Sequence, residues 1–259
     1  MREILGRRRR LRRGARPARL DAVLICATAW QWPVLPGVGL EAADGRDGDG
    51  GGNGPARRCA CPDPECAVPG AHPFDPGLLA ATTDERMVRW WWTNRPTAPI
   101  VLATGGRAPC ALSLPAEAAA RALAELDRTG VRLGPVVATP TRWSLLVAPY
   151  TLERLGELLH AQDRVPSSLR FHGEGGYLVL PPSEAGAGQV SWERAPAPAA
   201  RPGPHDRDRG RGHGFEGADA AADSADGAVA PWLPDVGTVL DALVEASNAA
   251  PGGGSRLAY

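Results

Sequence analysis

The sequence predicts a mixed domain, α+β in class, and three observations carry that reading. Short apolar runs such as Ile100-Val101-Leu102-Ala103 and Leu145-Leu146-Val147 recur between glycine and proline turns, the mark of strands. Helical-period stretches, above all 116–128 and 151–161, fall among those runs rather than after them. Glycine and proline number 32 and 26 in 259 residues, so turns and irregular segments must take much of what remains.

The elements follow in order. Residues 20–30 form a helix with Leu20, Val23, Leu24 and Ala27 on one face, and 32–35 a strand. Residues 41–58 lack large apolar side chains and are rich in Gly and Asp, which predicts a flexible loop. Thr82 and Glu85 offer a capping box before a helix through Trp92. Met87, Trp90 and Trp91 are expected to share one side of it, and three adjacent tryptophans cannot all face inward. Strands at 99–103 and 110–114 are split by Gly105-Gly106, and an Ala-rich helix spans 116–128. Strands near 135–139 and 144–148 lead to a helix over 151–161, marked by Leu152, Leu155, Leu158 and Leu159. Residues 167–171 and 177–180 are expected to pair as strands around Gly173-Glu174-Gly175-Gly176. Pro181-Pro182-Ser183 ends the second, and 189–193 add an edge strand.

The domain boundaries come from composition. Residues 1–19 are an Arg-rich disordered arm, 20–194 the folded domain with a small Cys-rich loop at 59–72, and 195–230 a disordered linker. In the linker the only large apolar residues are Phe215 and Val229. Residues 231–248 carry Leu233, Val236, Val239, Leu240, Leu243 and Val244 at helical spacing, and 249–259 are a flexible tail. The terminal helix either docks on the body or binds a protein partner.

Charge is balanced, with 29 basic and 29 acidic residues, and every basic residue is Arg. Nine of the arginines lie in residues 1–19 against Glu3 alone, so the rest of the chain is net acidic. Such an arm attracts phosphate polyanions or an anionic membrane surface, or is simply a solvated tail. No apolar run approaches the ~20 residues that a spanning helix needs. Leu20–Ala29 imitates a secretory signal but is short, carries Asp21 and runs into Trp30-Gln31-Trp32-Pro33, so a cytoplasmic location is expected.

The strongest chemical signal is Cys59, Cys61, Cys66 and His72. Three thiols and an imidazole within fourteen residues match a structural zinc site, with Pro62, Pro64, Pro69 and Gly70 supplying tight turns. The alternative is three free thiols beside an unrelated histidine. Four protein ligands would leave no open position for a catalytic water. Thr104-Gly105-Gly106-Arg107 and His172-Gly173-Glu174-Gly175-Gly176 are Gly-rich but match no nucleotide fingerprint, and turn chemistry explains them. No nucleophile or acid–base set is visible: Ser113 has no histidine near it in sequence, and His160 lies on a Leu-rich helix.

The order of these pieces resembles the N-terminal domain of bifunctional DNA primase/polymerases, a branch of the archaeo-eukaryotic primase superfamily. The likeness runs from about Leu20 to Glu193. It rests on Trp32-Pro33-Val34-Leu35-Pro36, Gly70-Ala71-His72-Pro73 closing the Cys loop, and Ala81-Thr82-Thr83-Asp84 leading to Trp91-Trp92. It continues through Ala98 to Gly105, Thr139-Pro140, Gly175-Gly176-Tyr177 and Pro181-Pro182-Ser183. It implies a mixed sheet with flanking helices, an RRM-like second half and a small zinc loop.

The resemblance also implies two divalent ions held by an Asp-x-Asp pair, a Ser-x-His motif for nucleotide phosphates and a third Asp. The Asp-x-Asp positions fall on Ser113 and Pro115. The Ser-x-His region reads Thr141-Arg142-Trp143-Ser144-Leu145 with no histidine, and Arg170 takes the third Asp position. Two-metal phosphoryl transfer needs carboxylates, which neither Ser113, Pro115, Ser144 nor Arg170 supplies. The expectation is a relative that kept the scaffold and a structural Zn2+, does not hold Mg2+ or Mn2+, and is catalytically inactive. It would bind nucleic acid or nucleotide through Arg170, His172, Arg142 and Arg107. The alternatives are an active polymerase with carboxylates from elsewhere, and a regulatory scaffold acting through protein contacts.

Overall fold

The computed structural model describes residues 18–42, 57–186, 188–198 and 230–249. Most of the Arg-rich arm, the middle of the 41–58 loop, nearly all of the 195–230 linker and the C-terminal tail lie outside the described residues. Among the described residues no helix is long and apolar enough to cross a membrane.

The first helix, α1, covers residues 18–24 and continues as a π-helical turn, Ile25–Ala29. Strand β1 is Val34–Pro36, slightly later than the expected 32–35. The short strands β2, Leu40–Ala42, and β3, Arg57–Cys59, pair with each other at the two ends of the expected loop. Helix α2 spans Glu85–Asn94. Its N-cap is not Thr82: the Asp84 carboxylate accepts the Met87 N–H at 2.8 Å, and Thr82 Oγ1 accepts the Asp84 N–H at 3.1 Å. A short carboxylate placed directly at the cap outcompetes the wider box.

On α2 the sides differ from expectation as well. Val88, Trp91 and Trp92 are buried at i, i+3 and i+4, while Met87 and Trp90 stand exposed, Trp90 at 61 %. Trp91 therefore belongs with Val88 rather than with Met87 and Trp90.

The remaining elements are β4 (Ile100–Ala103), β5 (Cys110–Pro115), α3 (Ala116–Arg128), β6 (Val136–Ala138), β7 (Arg142–Val147) and α4 (Leu152–His160). They are followed by β8 (Arg170–His172), β9 (Tyr177–Leu180), β10 (Ser183–Ala185), β11 (Gly188–Arg194) and α5 (Val236–Asn248). A three-stranded antiparallel sheet runs β1-β4-β9, and a six-stranded antiparallel sheet runs β10-β11-β6-β7-β5-β8. The segment β5-α3-β6-β7-α4-β8 with spatial order β6-β7-β5-β8 is the split β-α-β arrangement expected for the second half.

Two strand expectations are corrected. The runs around 167–171 and 177–180 do not pair with each other: β8 joins β5 in the large sheet and β9 joins β4 in the small one. The glycine turn between them thus carries the chain from one sheet to the other. Residues 189–193 are not an edge, because Pro181-Pro182 is followed by β10, and β11 lies between β10 and β6. Gly188, at φ +115°, makes the tight return that L side chains seldom adopt.

The large sheet is apolar on both faces, which is why β5 and β7 read as continuous apolar runs. Cys110, Leu112, Leu114, Leu145 and Val147 point into one core with α3, α4 and α5. Ala111, Val137 and Leu146 point into a second core with α1, α2, β1, β4 and β9. Helix α5 buries Val239, Leu240 and Leu243 against α3 and the sheet. Each such residue contributes about 1.5–3 kcal/mol of burial, so α5 docks on the body and its apolar face is spent within the domain.

Candidate functional site

The Cys-rich loop gathers its four donors. The sulfur and nitrogen ligand atoms of Cys59, Cys61, Cys66 and His72 all lie within 4.8 Å of one another. His72 Nε2 is 3.3 Å from Cys59 Sγ and 3.4 Å from Cys66 Sγ. Donors at ~2.3 Å from a tetrahedral zinc are under about 4 Å apart, so the set is close to the required size. His72 Nδ1 donates to the Pro73 carbonyl at 2.9 Å, which leaves Nε2 as the ligand nitrogen.

The Gly70 N–H donates to Cys59 Sγ at 3.2 Å. Gly70 has φ +70°, and a Cβ there would meet Leu40 Cγ at 2.8 Å, so the loop needs glycine at this point. Burial opposes ionisation of Cys59, but hydrogen bonds from Gly70, Cys61 and His72 outweigh it and bring the thiol down to about 7. Burial and the neighbouring Cys59 and Cys61 push Cys66 up to about 11. A dication would cancel that crowding of thiolates. The residues fit a zinc ion, and they would hold it as a closed structural centre. Among the described residues this is the one group of three or more His, Cys, Asp or Glu side chains close enough to share an ion.

The second site lies on the face of the large sheet turned away from α3. Strand alternation puts Ala111, Ser113 and Pro115 of β5 on one face. Register then sets Ser113 opposite Ser144 on β7 and Arg170 on β8, Pro115 opposite Arg142, and Ala111 opposite His172. The positions singled out from sequence, Ser113, Pro115, Ser144, Arg142, Arg170 and His172, thus share a single face across β7-β5-β8. Arg107 is not among them. It is exposed in the turn between β4 and β5 and makes no hydrogen bond among the described residues.

Ser113 and Ser144 are buried, at 2 % and 6 % exposure. Ser113 has no histidine near it in sequence, but the fold brings it one from 59 positions away. His172 Nε2 lies 3.0 Å from Ser113 Oγ, and His172 Nδ1 lies 3.1 Å from the Tyr177 carbonyl oxygen. A carbonyl only accepts, so Nδ1 carries the proton, and the Ser113 hydroxyl donates to Nε2. Arg142 closes the group: its Nη2 donates to the Ser113 carbonyl at 2.8 Å, to the Ser168 carbonyl at 2.8 Å and to Ser113 Oγ at 3.3 Å. The Ser113 hydroxyl is covered by Arg142 and His172, which makes it a satisfied buried polar group and not an open nucleophile.

Burial lowers the His172 pKa, and the nearby Arg142 and Arg170 lower it further, so the ring is held neutral. Burial and then Arg170 bring Arg142 down to about 10, which leaves it cationic at neutral pH. No carboxylate hydrogen-bonds to Ser113, Arg142 or His172 among the described residues, and Arg170 has no acidic partner there.

The two glycine turns are not free phosphate cradles. Thr104 N–H donates to the Gly176 carbonyl at 3.0 Å, Gly176 N–H to the Gly173 carbonyl at 3.0 Å, and Thr104 Oγ1 to that same carbonyl at 2.7 Å. A Cβ on Gly105 would come within 2.3 Å of Glu174 Cα, so the turns brace each other backbone to backbone. Sequence reasoning missed Ser168 and the Ser113–His172 contact. The signal for the contact was the alternation of 111, 113 and 115 against 170 and 172, usable only once β8 is known to pair with β5.

The family model for the N-terminal domain of bifunctional DNA primase/polymerases, Prim-Pol, matches residues 24–204. The chain belongs to this family, and its domain is primase/polymerase-like. No curated protein and no solved structure matches it.

Proposed function

We propose that this protein is a Prim-Pol family member that no longer performs metal-dependent nucleotidyl transfer and uses the β7-β5-β8 face to bind a phosphate of a nucleotide or nucleic acid. One observation carries the reading. Ser113, Ser144 and Arg170 stand in register on three adjacent strands, with Arg142 among them and, among the described residues, no carboxylate paired with either arginine. Ser113 and Arg170 are positions where the family likeness called for acids. Catalysis of phosphoryl transfer by two metal ions depends on anionic ligands to bind them and balance their charge. Two guanidiniums do the reverse: they repel metal and attract phosphate.

The test is twofold. Primer synthesis and extension by the full chain on a single-stranded template, with Mg2+ and with Mn2+, should give no product; product with either ion overturns the loss of catalysis. Binding of the same DNA should be measurable at low salt and weaken as salt rises, through release of counterions. Absence of binding to DNA and to nucleotides alike overturns the binding role. Cytoplasmic residence belongs to the same proposal.

A further inference from the structure

We propose that Arg142 is a built-in cation that stands in for the divalent ions, so that this face takes a phosphate group without any added metal. The inference rests on the phosphate-binding reading and narrows it to the form of the ligand, a phosphate not already complexed by Mg2+.

Position comes first. Nη2 of Arg142 lies 2.8 Å from the carbonyl oxygens of both Ser113 and Ser168, bridging β5 to the chain just before Arg170. Oxygens of this kind are what a hard divalent ion would take as ligands, and the guanidinium takes them instead. Charge comes second. Most surface arginines among the described residues meet carboxylates, for example Arg57 with Glu184, Arg89 with Glu85, Arg128 with Glu125 and Arg194 with Asp127. Among the described residues Arg142 is tied only to neutral oxygens, so its charge is held in place and not cancelled there.

Unspent donors come third. Guanidinium carries five N–H groups, and the three contacts of Arg142 all use Nη2. Among the described residues Nε and Nη1 have no hydrogen-bond partner, yet neither is sealed from solvent, since the sealed and unpartnered side-chain polar atoms there are those of Tyr150, Ser168 and Ser247. Arg170, exposed on the adjoining strand, adds a second fork on the same face. Two forks with free N–H groups fit the oxygens of one phosphate or of neighbouring phosphates, in the bidentate manner of arginine. A magnesium complex of the same phosphate would bring a third positive centre against both guanidiniums, and the bare anion would be preferred.

The test is calorimetric titration of the full chain with its zinc retained. The buffer is freed of other divalent ions on a chelating resin, because a soluble chelator would also attack the zinc loop. The probes are ATP, inorganic tripolyphosphate, adenosine and a single-stranded oligonucleotide, each with and without excess Mg2+. We expect ATP and tripolyphosphate to bind without Mg2+ and adenosine not to bind. Excess Mg2+ should weaken the binding. Arg142→Gln and Arg170→Gln should each reduce affinity roughly tenfold or more. Arg170 is exposed, so its variant serves even where Arg142→Gln fails to fold.

If the oligonucleotide alone binds without metal, and the variants weaken it, the phosphate comes from a nucleic-acid backbone and the inference stands. Binding that requires Mg2+ overturns the inference and leaves the phosphate-binding role intact. Binding indifferent to the arginine variants also overturns it. No binding of any phosphate compound in either buffer removes both.

Discussion

The Cys59–His72 loop and the β7-β5-β8 face differ in how they present a cation to the chain. The loop draws three thiols and an imidazole to within 4.8 Å of a common centre and orients the imidazole through the Pro73 carbonyl. The sheet face draws two hydroxyls, an imidazole and two guanidiniums together, with a guanidinium at its middle. In the loop the positive charge must come from outside, and the fold supplies donors. On the sheet the positive charge is covalently part of the chain, and the fold supplies the oxygens that position it. Strand register fixes where side chains stand whatever their chemistry, so neutral and basic residues hold positions on the sheet face for which the family likeness implies acids.

The largest effect is expected at the loop. Cys59→Ser should release the zinc, measured as loss of metal by plasma mass spectrometry. It should also lower the thermal midpoint by roughly 10 °C or more, since metal affinity is folding energy for so small a loop. A variant that keeps full stability without metal would mean that the loop is not a zinc centre.

The next effect lies beneath the sheet face. Leu112→Ala removes a fully buried side chain from the core on the far side of β5 and should cost about 2–5 kcal/mol in denaturant unfolding. Because Leu112 points away from Ser113, the binding face should survive in the folded fraction. A variant that folds as well as the parent would show that the α3–α5 layer does not hold β5 in place.

A smaller effect is expected at Ser113 itself. Ser113→Ala leaves His172 Nε2 without its donor and Arg142 without one of its acceptors, at a cost of about 1–3 kcal/mol. The carbonyl contacts of Arg142 are backbone and persist, so phosphate affinity should change less than in the arginine variants. A Ser113→Ala protein as stable as the parent would mean that the Ser113–His172 bond contributes nothing.

The smallest effect is a pH dependence at His172. Its folded pKa lies below 6.5, chiefly through burial and then through Arg142 and Arg170. Below about pH 6.5 the unfolded chain takes up a proton that the folded one refuses, so stability rises with pH across that window and falls on acidification. His172→Gln should flatten that part of the profile of thermal midpoint against pH, relative to the parent. An unchanged slope would place the titration elsewhere.

Much of the local structure was legible. The helix at Ala116–Arg128 and the strands at 110 and 177 follow from apolar period and turn residues, and the cluster of Cys59, Cys61, Cys66 and His72 from its spacing. The capping of α2 by Asp84, the split of Trp90 from Trp91, and the parting of β8 and β9 into different sheets were not. Each depends on what the rest of the molecule places beside the residue, and no window of sequence contains that.

By itself, then, the sequence determined most of the elements, a Cys/His group able to hold a metal and the lack of acids at Ser113, Pro115 and Arg170, because propensity, ligand chemistry and charge belong to residues and short spans. Only the tertiary structure decided that Ser113 meets His172, that Arg142 reaches across to Ser168, and that Arg142 and Arg170 share a face on which no described carboxylate pairs with either. Those facts arise from pairing between strands distant in the chain, where alternation says which residues share a side but only the assembled sheet says which strands are neighbours.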